Sequence, residues 1–443
     1  MYNYFRLVYD LVSLIRHCKW KYKELVNYQN KKLREIVKYT YNHHVPFYHS
    51  MFRKLNLKPE GIRSVEDLKK LPIIRKEELR MNVEKVVSNE FSLANLLAES
   101  TSGTTGQPLT YYLTRSENEF RKAKLLRANI CCGQKPKDRW VVITSPYHAK
   151  RSNMAPLQKY LGIFTPVTAS VFDPASELIS FVNYVKPDIL EGYSSSLLLM
   201  AKELEKGECR VWKPKLVIGG ADMLGDYEQN LIEKVFDAPF YDQYAANELE
   251  ALAWQCEEKS EYHIDADTII MEFVDENGEK VAPGERGEII CTSLFNYAMP
   301  FIRYAIGDVG VPSNENKCPC GRSFPLMKLV EGRKDSFIVI PGGRVISPQA
   351  FLILMREYKF FNLIDRYRII QKKIDLIKIY LKLKKIVNDK ETLKFELINH
   401  FKRALNISSD DLIFEVEFVE EMPLNKSGKL ATIVSELTQY EKI

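Results

Sequence analysis

The spacing of apolar residues changes period several times along this chain. In residues 1–45 it is helical, with Leu11, Leu14 and Ile15 followed by Leu33, Ile36 and Val37, and Asn42 to Pro46 end this opening. Ser64 and the following Val65-Glu66-Asp67-Leu68 fit an N-cap and first turn, closed by Leu71-Pro72. Glu117 to Ile130 predicts a helix, and Trp140-Val141-Val142-Ile143 a buried strand. Short apolar runs recur at Ile189-Leu190 and Leu216-Val217-Ile218, with a helical segment from Ser194 to Leu204 between them. Strands alternating with helices predict α/β architecture. From Ile269 the pattern turns to strands joined by tight turns. Asp275-Glu276-Asn277-Gly278 sits between Ile270-Met271-Glu272-Phe273 and Val281, which predicts a hairpin-rich subdomain.

A boundary falls at Gly332–Asp335, dividing a large domain (1–334) from a small one (335–443). In the small domain, Ile377, Ile379, Leu381 and Leu383 alternate with Lys378, Tyr380, Lys382 and Lys384, a half-exposed strand. Leu393, Leu397, Phe401 and Leu405 recur every four residues, a helix face, and Phe414, Val416 and Phe418 alternate with Glu415 and Glu417. This predicts a β-α-β module. Neither an internal repeat nor a low-complexity tract is visible.

Composition narrows the class. At 443 residues the chain exceeds one compact core, and 45% hydrophobic with 28% charged residues is the balance of a soluble globular protein. No apolar run approaches the roughly 18 residues of a membrane span. Leu7 to Ile15 is interrupted by Asp10, and Trp20-Lys21 stands where a signal peptide would have small residues, so a cytoplasmic location is expected. Eight cysteines in such a chain predict free thiols or a metal site rather than a disulfide framework. The net charge of +6 is carried by residues 1–40, with nine Lys/Arg against three Asp/Glu. The remainder is formally neutral, which argues against nucleic-acid binding. The basic segment reads as the solvated face of a helix; the alternative is peripheral contact with an anionic membrane.

Chemistry concentrates in a few stretches. Ser100-Thr101-Ser102-Gly103-Thr104-Thr105-Gly106-Gln107-Pro108-Leu109 reads as a hydroxyl-rich loop whose N–H groups and hydroxyls can wrap phosphate oxygens; the alternative is a surface linker. It lacks the spacing and lysine of a Walker loop. Cys256, His263, Cys318 and Cys320 offer three thiolates and an imidazole, a suitable closed tetrahedral zinc set, against a reduced cysteine pair in a turn with His263 on a strand. Cys18, Cys131, Cys132, Cys209 and Cys291 read as packing thiols. Tyr147 and His148 follow a buried strand and are candidates for a substrate wall.

Taken in order, these pieces resemble the adenylate-forming superfamily, and within it the phenylacetate–coenzyme A ligase family and its capsular polysaccharide biosynthesis (CapK-type) branch. Ser102-Gly103-Thr104-Thr105-Gly106 is similar to the family's phosphate loop. Gly219-Gly220-Ala221-Asp222 is similar to the turn bordering adenine, and Tyr244-Ala245-Ala246-Asn247-Glu248 to the Tyr-Gly-x-Ser/Thr-Glu motif. Arg303-Tyr304-Ala305-Ile306-Gly307-Asp308 resembles the Tyr-Arg-Thr-Gly-Asp motif, Gly332-Arg333-Lys334-Asp335 the hinge, and Leu424-Asn425-Lys426-Ser427-Gly428-Lys429 the C-terminal lysine loop. The four Cys/His positions resemble a zinc site of this branch. The chain departs from the pattern at Leu109, Ala245, Asn247, Ala305 and Ile306.

The resemblance implies an α/β fold with a large N-terminal adenylate-forming domain and a small mobile C-terminal lid. It also implies a ligase that uses ATP and Mg²⁺ to activate a carboxylate as acyl-AMP for a thiol or amine. Glu248 would hold Mg²⁺, Tyr244 would stack on adenine, Asp308 would accept the ribose hydroxyls, and Asn247 would contact phosphate. Lys429 and Arg333 would steady the reacting phosphate, with Asp335 as pivot. The branch implies work in surface-polysaccharide assembly, on a small carboxylic acid or uronic-acid sugar. The alternatives are an acyl-coenzyme A ligase of small-acid metabolism and a non-catalytic nucleotide-binding assembly factor.

Overall fold

The computed structural model describes residues 4–100, 109–144, 156–170, 173, 175–207, 210–220, 224–259, 261–315, 317–333, 338–342, 345–346, 351, 354–355, 358–385, 387, 389–405, 407, 412–421 and 433–437. The chain divides into two compact units, the first running to Val330 and the second from Glu331 to the C-terminus.

The first unit opens with helices Tyr4–His17, Tyr22–Tyr39 and Pro46–Lys54. Leu14, Leu33, Ile36 and Val37 are buried, as their spacing predicts. Ser64 caps a 3₁₀ turn at Val65–Lys70, with Asp67 accepting from the Ser64 backbone. Two short strands follow, β1 (Leu97–Ser100) and β2 (Thr110–Leu113), paired antiparallel with Ser100 opposite Thr110. The helix Arg115–Cys131 comes next, capped by Thr114 and Glu117.

Eleven strands then build one sheet: β3 (Trp140–Thr144), β4 (Pro166–Ser170), β5 (Ile189–Tyr193), β6 (Leu216–Gly220), β7 (Phe240–Ala246), β8 (Glu250–Gln255), β9 (Tyr262–Ile264), β10 (Ile269–Val274), β11 (Gly287–Ser293), β12 (Tyr304–Pro312) and β13 (Leu326–Arg333). Their spatial order is β10-β11-β12-β13-β9-β8-β7-β6-β5-β3-β4. Strands β3 to β7 pair in parallel, with helices Ala175–Val185, Ser194–Glu205 and Asp226–Phe236 in the connections, and β7 onward is antiparallel. The hairpin-rich stretch therefore continues the same hydrogen-bonded sheet. One core joins the N-terminal helices to β8–β13, and another packs β3, β5, β6 and β7 against the connecting helices. No described helix is long and apolar enough to cross a membrane.

In the second unit, β14 (Ile338–Val339) pairs with β15 (Val345–Ile346). Strands β16 (Ile364–Lys373), β17 (Leu376–Leu383), β18 (Ile413–Phe418) and β19 (Ile433–Ser435) form a sheet in the order β18-β17-β16-β19. The helix Lys390–Leu405 carries the chain from β17 to its parallel neighbour β18 and buries Leu393, Leu397, Phe401 and Leu405. That is the β-α-β module expected from spacing. Strand β16 was not legible because its buried positions do not alternate.

Candidate functional site

Two of the motif strands lie far apart in the sheet, yet their side chains meet. Between β7, which carries Tyr244, and β12, which carries Asp308, stand β8, β9 and β13. Across a flat sheet four strand spacings amount to about 19 Å. The Tyr244 hydroxyl nevertheless donates to Asp308 Oδ2 at 2.7 Å, and the Tyr304 hydroxyl to Glu248 Oε1 at 2.8 Å. The sheet must curl for this to happen. Each motif thus supplies the tyrosine that orients the acid of the other.

Glu248 is buried in the turn between β7 and β8, with the Lys76 ammonium 3.6 Å from Oε1. Lys76 arrives there because the Ile74 backbone exchanges hydrogen bonds with Arg303 and Ala305 on either side of Tyr304, each 2.9 Å long. The spacing of apolar residues did not single out Lys76. Its signal was the neighbouring Arg75-Lys76-Glu77-Glu78 sequence, a helix start with Glu78 bonded to the Arg75 N–H.

Gly219 and Gly220 end β6 beside this turn. A Cβ on Gly219 would lie 2.3 Å from the Phe240 ring, and one on Gly220 would lie 3.0 Å from the Gln243 carbonyl. Close packing onto β7 therefore requires both glycines, in addition to any approach of a ligand. Ala221 and Asp222 of the same motif lie outside the described residues, as do Ser102, Gly103, Thr104, Thr105, Gly106, Tyr147, His148, Asp335 and Lys429. Arg333 ends β13, and its side chain is likewise outside them.

Three of the departures from the family pattern, at Leu109, Ala305 and Ile306, are explained by packing. Leu109 and Ile306 both pack into the first core, and Ala305 packs against Val274 and Ile290. At Asn247 the backbone carbonyl is held, by the Tyr111 hydroxyl and the Arg121 guanidinium, both at 2.6 Å.

Cys256, His263, Cys318 and Cys320 converge, their ligand atoms all within 4.8 Å of one another. Cys256 follows β8, His263 is the centre of β9, and the other two precede β13. His263 stacks on Trp254 at 4.8 Å between centroids. Burial pushes the Cys256 thiol up to about 12 and the His263 imidazole down to about 4, so the cluster favours neutral groups unless a cation is present. Glu248 precedes and Cys256 follows the extended strand β8, whose six residues span about 17 Å at a strand's rise per residue. The cluster therefore sits at the end of that strand away from Glu248.

Residues 341–436 match the CapK C-terminal domain family. Protein CapK of Staphylococcus aureus is 24% identical, over 96% of this chain and 92% of its own length. The solved structure of 2-hydroxyisobutyryl-CoA ligase, in the postadenylation state with R3-HIB-AMP, superposes with a TM-score of 0.76 at 19% identity, covering 95% of this chain and 91% of that one. The chain is similar to Protein CapK along nearly its whole length and shares the fold of that ligase structure. A phenylacetate-coenzyme A ligase of Thermus thermophilus is 24% identical over 74% of each chain. The resemblance drawn from the motifs is thus borne out. Tyr244 with Asp308 and Tyr304 with Glu248 come together in this fold, whereas residues 102–106, Ala221, Asp222, Asp335 and Lys429 fall outside the described ones.

Proposed function

We propose that this CapK-like chain is an ATP-dependent ligase that activates a carboxylate as acyl-AMP and passes the acyl group to a thiol. The carrying observation is the crossed arrangement of Tyr244 with Asp308 and of Tyr304 with Glu248. Each acid is oriented by the tyrosine of the other motif, which suits Asp308 to ribose and Glu248 to a magnesium–phosphate group. In the first step a substrate carboxylate oxygen attacks the α-phosphorus of ATP, the bond to the β-phosphate oxygen breaks, and pyrophosphate leaves. In the second, a thiolate attacks the acyl carbonyl carbon and AMP leaves.

Glu248 fits a magnesium ion, which is usually held by one or two carboxylates together with nucleotide phosphates. Bound there, Mg²⁺ would neutralise phosphate charge. Lys76 adds a second positive centre beside the same carboxylate. Lys429 and Arg333 are assigned to the reacting phosphate, and the hydroxyl loop 102–106 to the leaving pyrophosphate. Coenzyme A, the acceptor named for the phenylacetate and 2-hydroxyisobutyryl ligases, is the proposed acceptor, and surface-polysaccharide assembly the proposed setting, with a small acid or uronic-acid sugar as substrate. An amine acceptor is the variant of this reading suited to amidation of a uronic acid.

The Cys/His cluster is proposed to hold structural zinc. Tetrahedral zinc with bonds of about 2.3 Å to sulfur and about 2.0–2.1 Å to nitrogen sets ligand atoms about 3.5–3.8 Å apart. Cys256 and Cys318 Sγ are 3.6 Å apart, and Cys320 Sγ is 3.4 Å from His263 Nε2. ATP–pyrophosphate exchange over a panel of carboxylic acids, uronic acids included, tests the function. Exchange with one acid, lost in Glu248→Gln, is expected. A protein that binds ATP yet exchanges with none would instead be a nucleotide-binding assembly factor.

A further inference from the structure

Helix Arg115–Cys131 places two cations inside the first unit, against the turn that carries Glu248. Arg121 and Lys124 are three residues apart on one face and both are buried, Lys124 completely. Residues of these types are seldom buried without a specific partner. Here each donates to a backbone carbonyl next to Glu248, besides pairing with a carboxylate. The Arg121 Nη2 group donates to the Asn247 carbonyl at 2.6 Å, and Lys124 Nζ donates to the Leu249 carbonyl at 2.7 Å. The Tyr111 hydroxyl takes the second lone pair of the Asn247 carbonyl at 2.6 Å.

The turn itself explains why such contacts are needed. Ala246 and Glu250 face each other across β7 and β8, leaving Asn247, Glu248 and Leu249 as a three-residue loop. Loops of this kind end in a left-handed residue, normally glycine. Glu250 occupies that place with φ of 62°, a conformation disfavoured for a residue with a side chain. Its carboxylate is 2.8 Å from Arg121 Nη2. Strain of this kind persists where the surroundings hold it, and it gathers at functional sites. A glycine would relieve the strain but would take away the carboxylate that pairs with Arg121. Lys124 has its own counter-ion, Asp265 Oδ2 at 3.5 Å, and lies 4.6 Å from the Phe295 ring centroid.

We propose that Arg121 and Lys124 are positioning residues that clamp the two carbonyls flanking Glu248 and so fix its carboxylate for the magnesium–nucleotide complex. Neither side chain touches nucleotide; each acts through the backbone. The inference rests on Glu248 being the metal-facing acid proposed above. Apart from the two clamped peptide units, the Glu248 carboxylate is anchored by the Tyr304 hydroxyl and the Lys76 ammonium. Releasing the clamp therefore leaves the acid present but less well aimed.

The test compares two ligands on the purified full chain by calorimetry. ATP with Mg²⁺ needs the aimed acid, whereas AMP carries no β- and γ-phosphates for a metal to bridge. In Arg121→Met, Mg²⁺-dependent ATP affinity should fall by about tenfold, the worth of one charge-assisted hydrogen bond, while AMP affinity stays within about twofold. Arg121→Lys, which keeps the charge and one donor, should recover part of the loss. Lys124→Met leaves Asp265 paired with Arg127 and is the variant expected to fold best; it should show the same split at smaller size. An equal fall for both ligands, or melting temperatures that drop with both affinities unchanged, would make the pair merely structural and overturn the clamp. If Glu248→Gln abolishes Mg²⁺-dependent binding while the clamp variants retain it, the clamp alone is wrong. Wild-type protein whose ATP affinity ignores Mg²⁺ would overturn the functional reading and the clamp with it.

Discussion

Lys429 and Cys318 test two different kinds of residue. Lys429 follows Ser427-Gly428 outside any apolar pattern, so its replacement is chosen to remove a charge. Lys429→Ala is expected to slow pyrophosphate exchange by on the order of 10²–10³-fold, with ATP affinity and thermal melting near wild type. Near-normal exchange would remove Lys429 from the chemistry. Cys318 is buried among donors, so its loss should be felt in stability. One equivalent of zinc per chain is expected by metal analysis after a chelator wash, and Cys318→Ser should lose most of it and melt at lower temperature. A metal-free wild-type protein would leave the four residues as reduced packing thiols and an imidazole.

Among the elements, the helix Arg115–Cys131 does the most to organise the first unit. Besides Arg121 and Lys124 it sends Arg127 to Asp265 and Asp267, and Asn129 to Glu191 on β5 at 2.8 Å. Trp140 of β3 also donates to the Glu191 carboxylate, at 3.1 Å. Burial pushes Glu191 up to about 7 despite these two hydrogen bonds, from an ordinary value of 4.5. Between pH 4.5 and 7 the folded chain holds a proton on Glu191 that the unfolded chain has released. Stability contributed by this group therefore falls as pH rises through that window. Glu191→Gln accepts the same two hydrogen bonds without the charge, so it should flatten this part of the profile and stabilise the protein at pH 8 relative to wild type. Denaturant midpoints of both proteins at pH 5 and pH 8 check the sign; parallel profiles would show that Glu191 titrates normally.

At the scale of the whole molecule, the two-step chemistry proposed here asks the small unit to serve both half-reactions. Asp335 is the proposed pivot, since a hinge needs a residue that can absorb backbone change. Asp335→Pro fixes φ near −65° and removes an N–H donor. Adenylate formation and acyl transfer are expected to respond unequally, followed in one preparation by pyrophosphate release and by consumption of the acceptor thiol. Equal slowing, or none, would leave the junction as a linker.

The sequence by itself indicated the alternation of strands and helices and nominated the candidate chemistry-bearing residues. Helical spacing at Leu33, Ile36 and Val37, apolar runs at β3, β5 and β6, and the alternation in β17 and β18 are local signals, set by which face of one element meets a core. Six motifs in sequence order carry the family resemblance. Other features were decided only by tertiary structure, because they depend on residues distant in the chain. Tyr244 and Asp308 are 64 residues apart and become partners only when the sheet curls. Lys76 reaches Glu248 through a backbone exchange at Ile74 that leaves no trace in periodicity. Arg121 and Lys124 read as ordinary polar positions of a helix, since burial of a cation is visible only once Asn247, Leu249, Glu250 and Asp265 close around it.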